Sequence, residues 1–473
     1  MPAAVNRKSR QTPYRKHRYV VLPRISVFKA EKVTIDELPQ ATAIIQGKYV
    51  IQPFKSDSGK YELRNIPIIL KPDGSIWHHG SLYLLSRASE YNPPTDQTLR
   101  TYAKGLVDYI NNLAAGQIDY LSTPVRKSLR PTYHYRAELE ERINGNLLAV
   151  STANSRISSV VNFYRWMKQR YDFHPTQELW IEKKRYIRFS NSQGFDSAKE
   201  VTTTDLNIKQ SQEINTGEYI LDGGKLYPYS EEQQRGLIKS LYETQNTEMI
   251  LSFLVALTSG ARSLATYTLR TSDILNPDAV KGSEIAIKIG RHTTVDNKNN
   301  KKMQIYIPAW LNRLIYTYIH SERYKRRVAK AGQPTDGAQY VFLTSHGNPF
   351  HISKGDMRRG QGQQIQEGNS VRKFISSRLQ PALNKLESPF KFRFHNLRAC
   401  FGMNLLEEHI KGLPPGSHLI ARALGKVQQR MGHAHISTTE RYLNYREDKK
   451  LTFQAQSMFE QHLQTLSENY VHN

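Results

Sequence analysis

The stretch MGHAHISTTERYLNYRED, Met431 to Asp448, packs two histidines, a Ser-Thr-Thr run and two tyrosines three residues apart into eighteen positions. Most of these residues are poor material for a plain core helix, because short hydroxyl side chains compete for the backbone's hydrogen bonds. Ser437 and Glu440 have the spacing of a capping box, which predicts a short helix starting there, with Gly432 and His433 held in the turn before it. On such a helix Tyr442 and Tyr445 stand roughly 60° apart, so both phenols are candidates for chemistry. A phenol with its ordinary pKa near 10 is a weak nucleophile at neutral pH and needs cations beside it.

Two segments upstream offer them. TSGAR, Thr258 to Arg262, follows the apolar run MILSFLVAL, and its glycine lets the chain turn and deliver Arg262 into open space. RFHNLRACFG, Arg393 to Gly402, sets His395 and Arg398 three apart, on one face of a helix. Cys400, two beyond Arg398, reads as a small buried apolar residue.

The chain around these segments has 473 residues, too many for one ordinary core. Its 67 Lys and Arg outweigh 42 Asp and Glu, giving a net charge of +25, which suits a polyanionic partner, nucleic acid above all. A single cysteine excludes an internal disulfide and a cysteine-rich metal site. The basic start, with Arg7, Lys8, Arg10, Arg15, Lys16, Arg18 and Arg24, lacks the apolar core of a secretory signal. MILSFLVAL falls well short of the ~20 residues that span a bilayer. A soluble, intracellular protein is therefore expected, with no membrane contact.

Patterning predicts a mainly α protein with a small β-sheet (α+β). Residues 1–90 read as a basic arm or small domain, with IPIIL (Ile66 to Leu70) as a strand entering the turn PDG (Pro72 to Gly74). Residues 91–190 read as a helical domain: Leu99, Tyr102, Leu106, Ile110 and Leu113 form one stripe, and Ala153, Ile157, Val160, Val161, Tyr164 and Met167 another. Arg126, Lys127, Arg130, Arg156, Arg165 and Lys168 on and between these helices are the candidate DNA contacts. Residues 191–228 are aperiodic and read as a linker with one strand. Residues 229–450 resume the helical pattern behind a capping box at Ser230 and Gln233, interrupted by a hairpin of IAIKI (Ile285 to Ile289) and MQIYIP (Met303 to Pro308). Lys354 to Ser370 reads as a surface loop. Residues 451–473 carry Leu451, Met458, Phe459, Leu463 and Leu466 at helical spacing, a stripe that suits either this domain or another copy of the chain.

The order of Ser259-Gly260-Ala261-Arg262, His395-Asn396-Leu397-Arg398, Met431-Gly432-His433 and Thr438-Thr439-Glu440-Arg441-Tyr442 resembles that of the tyrosine recombinase family, also called phage integrases. The resemblance is specific over about 230–446 and faint before 90. It implies a helical core-binding domain and a catalytic domain that together clamp duplex DNA, a homotetramer on two sites, and a bacterial or phage protein at the nucleoid, with an accessory directionality factor as a further partner. It implies catalysis by Arg262, His395, Arg398, His433 and Tyr442, with Tyr445 left to packing and His435 a bystander. The family's lysine sits on a hairpin, which points to the 298–302 turn; Lys298 is preferred over Lys301 and Lys302. Ala265 stands where the family often has an acidic residue, and Met431 where it has leucine, which leaves the support of Arg262 open.

The chemistry of such a set is coherent. Two guanidiniums can clamp the non-bridging oxygens of one phosphodiester and favour the ionised phenol. Lysine would do this poorly, lacking the fork. The histidines can hydrogen-bond the phosphate or move the phenolic proton, and a lysine can protonate the leaving 5′ oxygen. The implied product is a 3′-phosphotyrosyl bond whose reversal rejoins a strand, as in integration of a mobile element. Bond energy is conserved, so no cofactor is expected; no phosphate-binding P-loop and no two-metal carboxylate cluster is seen, and His433-Ala434-His435 is too sparse for zinc. A type IB topoisomerase would share the chemistry, and a non-catalytic DNA-binding protein could share the fold. An RNA-binding protein would show an aromatic-glycine signature that is not found.

Overall fold

The structure is a computed structural model that describes residues 16–32, 43–45, 49–53, 55–56, 59, 61–190, 196–209, 217–298, 301–334, 337–356, 358–359, 367–414 and 417–471. The arm residues Arg7, Lys8, Arg10 and Arg15, the Asn299-Asn300 turn and much of the 354–370 stretch lie outside the described residues. The chain forms two compact units, Met1–Gln212 and Glu213–Asn473.

In the first unit β1 (Arg18–Ser26) pairs antiparallel with β5 (Glu62–Leu70), while β2 (Phe28–Lys32), β3 (Ala43–Ile45) and β4 (Tyr49–Pro53) form a sheet of order β2-β4-β3. The IPIIL segment lies inside β5, and the PDG turn closes where Gly74 N–H donates to the Lys71 carbonyl at 3.0 Å. Four helices follow: α1 (His78–Ser89), α2 (Asp96–Ala115), α3 (Pro131–Asn144) and α4 (Val150–Arg170). The Thr95 hydroxyl caps α2 by accepting from Thr98 N–H. Leu99, Leu106, Ile110 and Leu113 are buried and Tyr102 half-buried, so the stripe faces the core as its spacing requires. The α4 stripe is buried from Ala153 to Met167. Gly105 makes the α2–α4 approach possible, since a Cβ there would come within 2.9 Å of Ser159 Cβ.

Two boundaries differ from expectation. No division falls at residue 90, because Ile69, Trp77, Tyr83 and Leu84 share one apolar core with α2 and α4. The stretch 191–228, read as a linker with one strand, holds that strand as β7 (Asp196–Thr204), which pairs along its length with β6 (Glu182–Ser190) and so ties it to the first unit, and it also holds a short hairpin at 220–226. Helices α1 and α3 went unread in the sequence because His, Gly, Ser and charged residues dilute their apolar positions.

The second unit opens with a small hairpin, β8 (Ile220–Leu221) and β9 (Lys225–Leu226). Helix α5 (Glu231–Glu243) begins with the expected capping box, Ser230 and Gln233 each accepting from the other's backbone N–H at 3.1 Å. Then come α6 (Thr247–Ser259), α7 (Ser263–Thr268), β10 (Glu284–Ile289), β11 (Met303–Pro308), α8 (Ala309–His320) and α9 (Glu322–Val328). The chain continues through α10 (Asn369–Phe374), α11 (Gln380–Leu383), α12 (Asn396–Ile410), α13 (His418–Met431) and α14 (Ile436–Val471). The β10–β11 hairpin pairs Ile287 with Ile305 and buries alternate side chains against α6. Helix α12 lies between two apolar clusters: Leu397 and Cys400 join the α6 core, while Ala399, Phe401 and Leu406 join α13, α14, Ile220 and Leu226. Cys400 is buried as expected, and its Sγ accepts from Tyr229 N–H at 3.2 Å.

Helix α14 corrects two expectations. It starts at Ile436, so Ser437 lies inside it and is not its cap. It also runs for 36 residues without a break, so residues 451–471 continue the helix that carries Tyr442. Leu451, Phe453, Met458, Phe459 and Leu463 on that extension are exposed. No helix among the described residues is long and apolar enough to cross a membrane.

Candidate active site

Four helix ends build the site. Helix α6 stops at Gly260, whose φ of +66° is left-handed. A Cβ there would lie 2.5 Å from Phe401 Cδ1, so both backbone and packing require glycine. The turn hands Arg262 to the start of α7. Helix α13 ends at Met431 with Gly432, also at +66°, as its left-handed cap, and His433 follows. Arg398 stands in the first turn of α12, and Tyr442 projects from α14. Gly402 lets α12 and α14 meet closely, because a Cβ there would come within 2.6 Å of both Tyr442 Cε1 and Met431 Sδ.

Arg398 is 3% exposed at its side chain and fully engaged. Its Nη1 donates to the Gly260 carbonyl at 2.9 Å and its Nη2 to the Met431 carbonyl at 2.6 Å. Both are orphan carbonyls at helix C-termini, whose partial negative charge suits a guanidinium. Its Nε donates to Asp222 Oδ2 at 2.9 Å. That oxygen also accepts from His433 Nε2 and from the Tyr442 hydroxyl, each at 3.1 Å, while Arg262 Nη2 lies 3.8 Å from Asp222 Oδ1. Because a carboxylate only accepts, His433 Nε2 carries a hydrogen here, and the ring's Nδ1 shares a hydrogen bond with the Thr439 hydroxyl at 2.9 Å. Arg262, Arg398, His433 and Tyr442 therefore meet around one carboxylate.

The electrostatics agree with the geometry. Burial pushes the Asp222 carboxyl up, but the His433 hydrogen bond and the Arg398 charge outweigh it and hold the group well below the usual carboxylate range. Burial and then the Asp222 charge push the Tyr442 phenol well above its ordinary value; the two arginines oppose them and lose. With Asp222 in place Tyr442 is a neutral hydrogen-bond donor. His395 joins the cluster: burial, then the Arg262 and Arg398 charges, lower it to about 4, so its ring is neutral near pH 7. Burial and Arg398 likewise lower Arg262.

Two of the three hairpin lysines reach this place. Lys298 Nζ lies 3.5 Å from where a Cβ on Gly223 would sit, beside Asp222, and Lys301 Nζ donates to the Gly432 carbonyl at 2.7 Å. Tyr445 is buried in the apolar cluster with the Lys449 ammonium 4.9 Å from its ring centre, and His435 is exposed.

The candidate DNA contacts in the first unit divide by what already holds them. Arg130 is tied to the carbonyls of Pro124, Val125 and Glu178, and Arg156 to Asp108 at 2.9 Å, so both brace the fold. Lys127 pairs with Asp205 at 2.9 Å, Arg165 with Glu182 at 2.7 Å and Lys168 with Glu178 at 3.7 Å, and Arg126 is exposed. The Arg165 and Lys168 pairs lie at the surface, where screening makes them weak, while Asp205 is largely covered and also accepts from the Tyr133 hydroxyl and Ile181 N–H.

Sequence reading missed Asp222, Thr439 and the packing role of Gly402. The Asp222-Gly223 pair is a hairpin-turn signal and could have revealed β8 and β9, but no local pattern tells that its carboxylate enters the site.

No protein-family model matches the chain, and no curated protein matches it either. Among solved structures the chain is similar to site-specific recombinases and integrases. The XerH site-specific recombinase bound to palindromic difH substrate has 14% identity and a TM-score of 0.41, over 81% of this chain and 85% of that one. The Tn1549 transposon integrase in complex with transposon right end DNA has 15% identity and a TM-score of 0.43, over 80% and 99%. A lambda integrase dimer bound to a COC′ core site has 12% identity and a TM-score of 0.39, over 73% and 90%. At these scores they remain likenesses, and the reading of the site stands on its own residues.

Proposed function

We propose that the protein is a site-specific DNA recombinase, the integrase of a mobile element, which cleaves and rejoins DNA through a 3′-phosphotyrosyl intermediate. The observation that carries this reading is the meeting of Arg262, Arg398, His433 and the Tyr442 hydroxyl on the two oxygens of one buried anion. A pair of guanidiniums, an imidazole N–H and a phenol around an oxyanion is what transfer of a phosphodiester to tyrosine requires.

In that reaction the Tyr442 oxygen attacks phosphorus and the bond from phosphorus to the 5′ oxygen breaks. Once a phosphate stands where Asp222 does, His433 with its hydrogen on Nδ1 toward the Thr439 hydroxyl takes the phenolic proton at Nε2, and Lys298 supplies a proton to the departing 5′ oxygen. Neutral His395 donates a hydrogen bond to a non-bridging oxygen, and the arginines balance charge on the pentavalent transition state. Attack by another strand's 5′ hydroxyl reverses the steps. The first unit binds duplex DNA through Arg126, Lys127, Arg165 and Lys168; the carboxylates now paired with Arg165 and Lys168 are exposed and exchangeable, and the Lys127 ammonium is half exposed. The protein works as a tetramer on two sites, the exposed apolar side chains of α14 docking on a neighbouring copy.

A randomised substrate tests this without a chosen target sequence. The protein is incubated with a library of nicked duplexes randomised around the nick, denatured, and the DNA that stays attached is sequenced. A recombinase yields a denaturation-resistant adduct enriched in one sequence; no adduct under any sequence would overturn the proposal.

A further inference from the structure

The group at the centre of the site has no part in the reaction just described. Asp222 is 5% exposed at its side chain, at the tip of the β8–β9 hairpin. It occupies the place where the donors of Arg262, Arg398, His433 and Tyr442 converge, so a phosphodiester and this carboxylate cannot use them together. A carboxylate offers two oxygens to bidentate and charge-assisted donors much as a phosphate does.

We propose that Asp222 is an autoinhibitory plug: an internal carboxylate that fills the phosphate-binding site of the resting protein and must leave before a DNA phosphate enters. The proposal rests on the function proposed above for that site. The hairpin is built for a local exit. Its stems are anchored, Ile220 and Leu226 being buried in the cluster that contains Tyr442. Its tip is Gly223 at φ +68° and Gly224 at φ +159°, the one residue type that moves freely among such conformations. Within the tip Asp222 N–H donates to the Gly224 carbonyl at 3.1 Å, and Arg441 holds the Leu221 carbonyl at 2.7 Å. Exchange of the Asp222 oxygens for a phosphate at Arg398, His433 and Tyr442, together with loss of the Arg441 contact, lets the tip swing out while the buried Ile220 and Leu226 stay docked. A plug of this kind keeps Tyr442 protonated and buried until a substrate with stronger claims on the arginines arrives, which guards a nucleophile against stray phosphodiesters.

The competing role for Asp222 is a permanent brace, standing in for the acidic residue absent at Ala265. The two differ in what removal of the charge does. Asp222→Asn keeps the shape and removes the anion. Equilibrium dialysis with radiolabelled inorganic phosphate should show the variant binding about tenfold or more tightly than the unaltered protein, and the variant should form the Tyr442 adduct on the nicked library faster. Equal or weaker phosphate binding, or slower adduct formation, makes Asp222 a brace and overturns the plug. Should the variant fail to fold, hydrogen exchange on the unaltered protein decides: saturating phosphate should speed exchange of the amides from Leu221 to Lys225, and unchanged or slower exchange refutes the plug. Tighter phosphate binding with no adduct from either protein upholds the plug and defeats the proposed function. Adducts from both proteins at equal rates, with unchanged phosphate binding, defeat the plug alone.

Discussion

Tyr442 and Tyr445 share a helix turn and differ in what their hydroxyls meet. Tyr442 donates to Asp222, while Tyr445 sits among apolar side chains under Lys449. Replacing Tyr445 with Phe should leave adduct formation within about twofold, and Tyr442→Phe should abolish it, as read by gel shift after denaturation. Arg398 uses its whole fork, two nitrogens on helix-end carbonyls and Nε on the anion. Arg398→Lys keeps the charge and loses that geometry, so the adduct rate should fall by roughly 10² or more; a loss under threefold would mean the fork is not needed. His395 gives a pH dependence of stability. Its pKa drops from 6.5 to about 4 on folding, so between those values the unfolded chain binds a proton that the folded chain refuses. Stability therefore falls as pH is lowered through that window, by about 2 kcal/mol between pH 7 and 5 from this residue. Denaturant titrations at the two pH values should show a smaller drop in His395→Gln; an identical drop would remove His395 as a cause.

At the scale of elements, glycines set how closely helices meet. Gly402→Ala would thrust a methyl at Tyr442 and Met431, both within 2.6 Å, and should destabilise the second unit by about 1–3 kcal/mol and slow adduct formation as α14 shifts. A change below 0.5 kcal/mol in a thermal melt would show that the two helices can part without strain. Much of this level is legible in the sequence. The 285–308 hairpin, the Ser230 capping box and the stripes on α2 and α4 follow from periodicity and local hydrogen bonding, which involve residues a few positions apart. The members of the arginine, histidine and tyrosine cluster each lie within a short motif, and it is the resemblance of the motifs' order to that of a known family, not periodicity, that singles them out. Asp222 cannot, because its partners are His433 and Tyr442, more than 200 residues away, and nothing in ILDGGKL sets its aspartate apart from any turn aspartate. Helix α14 starts within one residue of the expected Ser437 but reads too short at its far end, because the charged run Arg446 to Lys450 carries no apolar stripe to link Tyr445 with the residues from Leu451 onward.

For the whole molecule, the two units each have their own core, and the charge of +25 is spread along the entire chain. DNA binding should weaken steeply with salt, and Arg126→Ala in the first unit should reduce the slope of log K against log salt by about one, without changing which sequence is preferred. The exposed apolar face of α14 belongs to the same scale. Phe453→Ser with Phe459→Ser should move the melting free energy of the isolated chain by less than about 0.5 kcal/mol, since neither residue is buried, yet reduce assembly on DNA in sedimentation velocity. Unaltered assembly would release that face from any role between copies. The proposed reaction depends on one bond, between the Tyr442 oxygen and a DNA 3′ phosphate. Digesting the denatured adduct with protease and nuclease and sequencing the modified peptide by mass spectrometry tests it directly. The account predicts a nucleotide remnant on Tyr442 alone; a remnant on Tyr445 or on any other residue would contradict it.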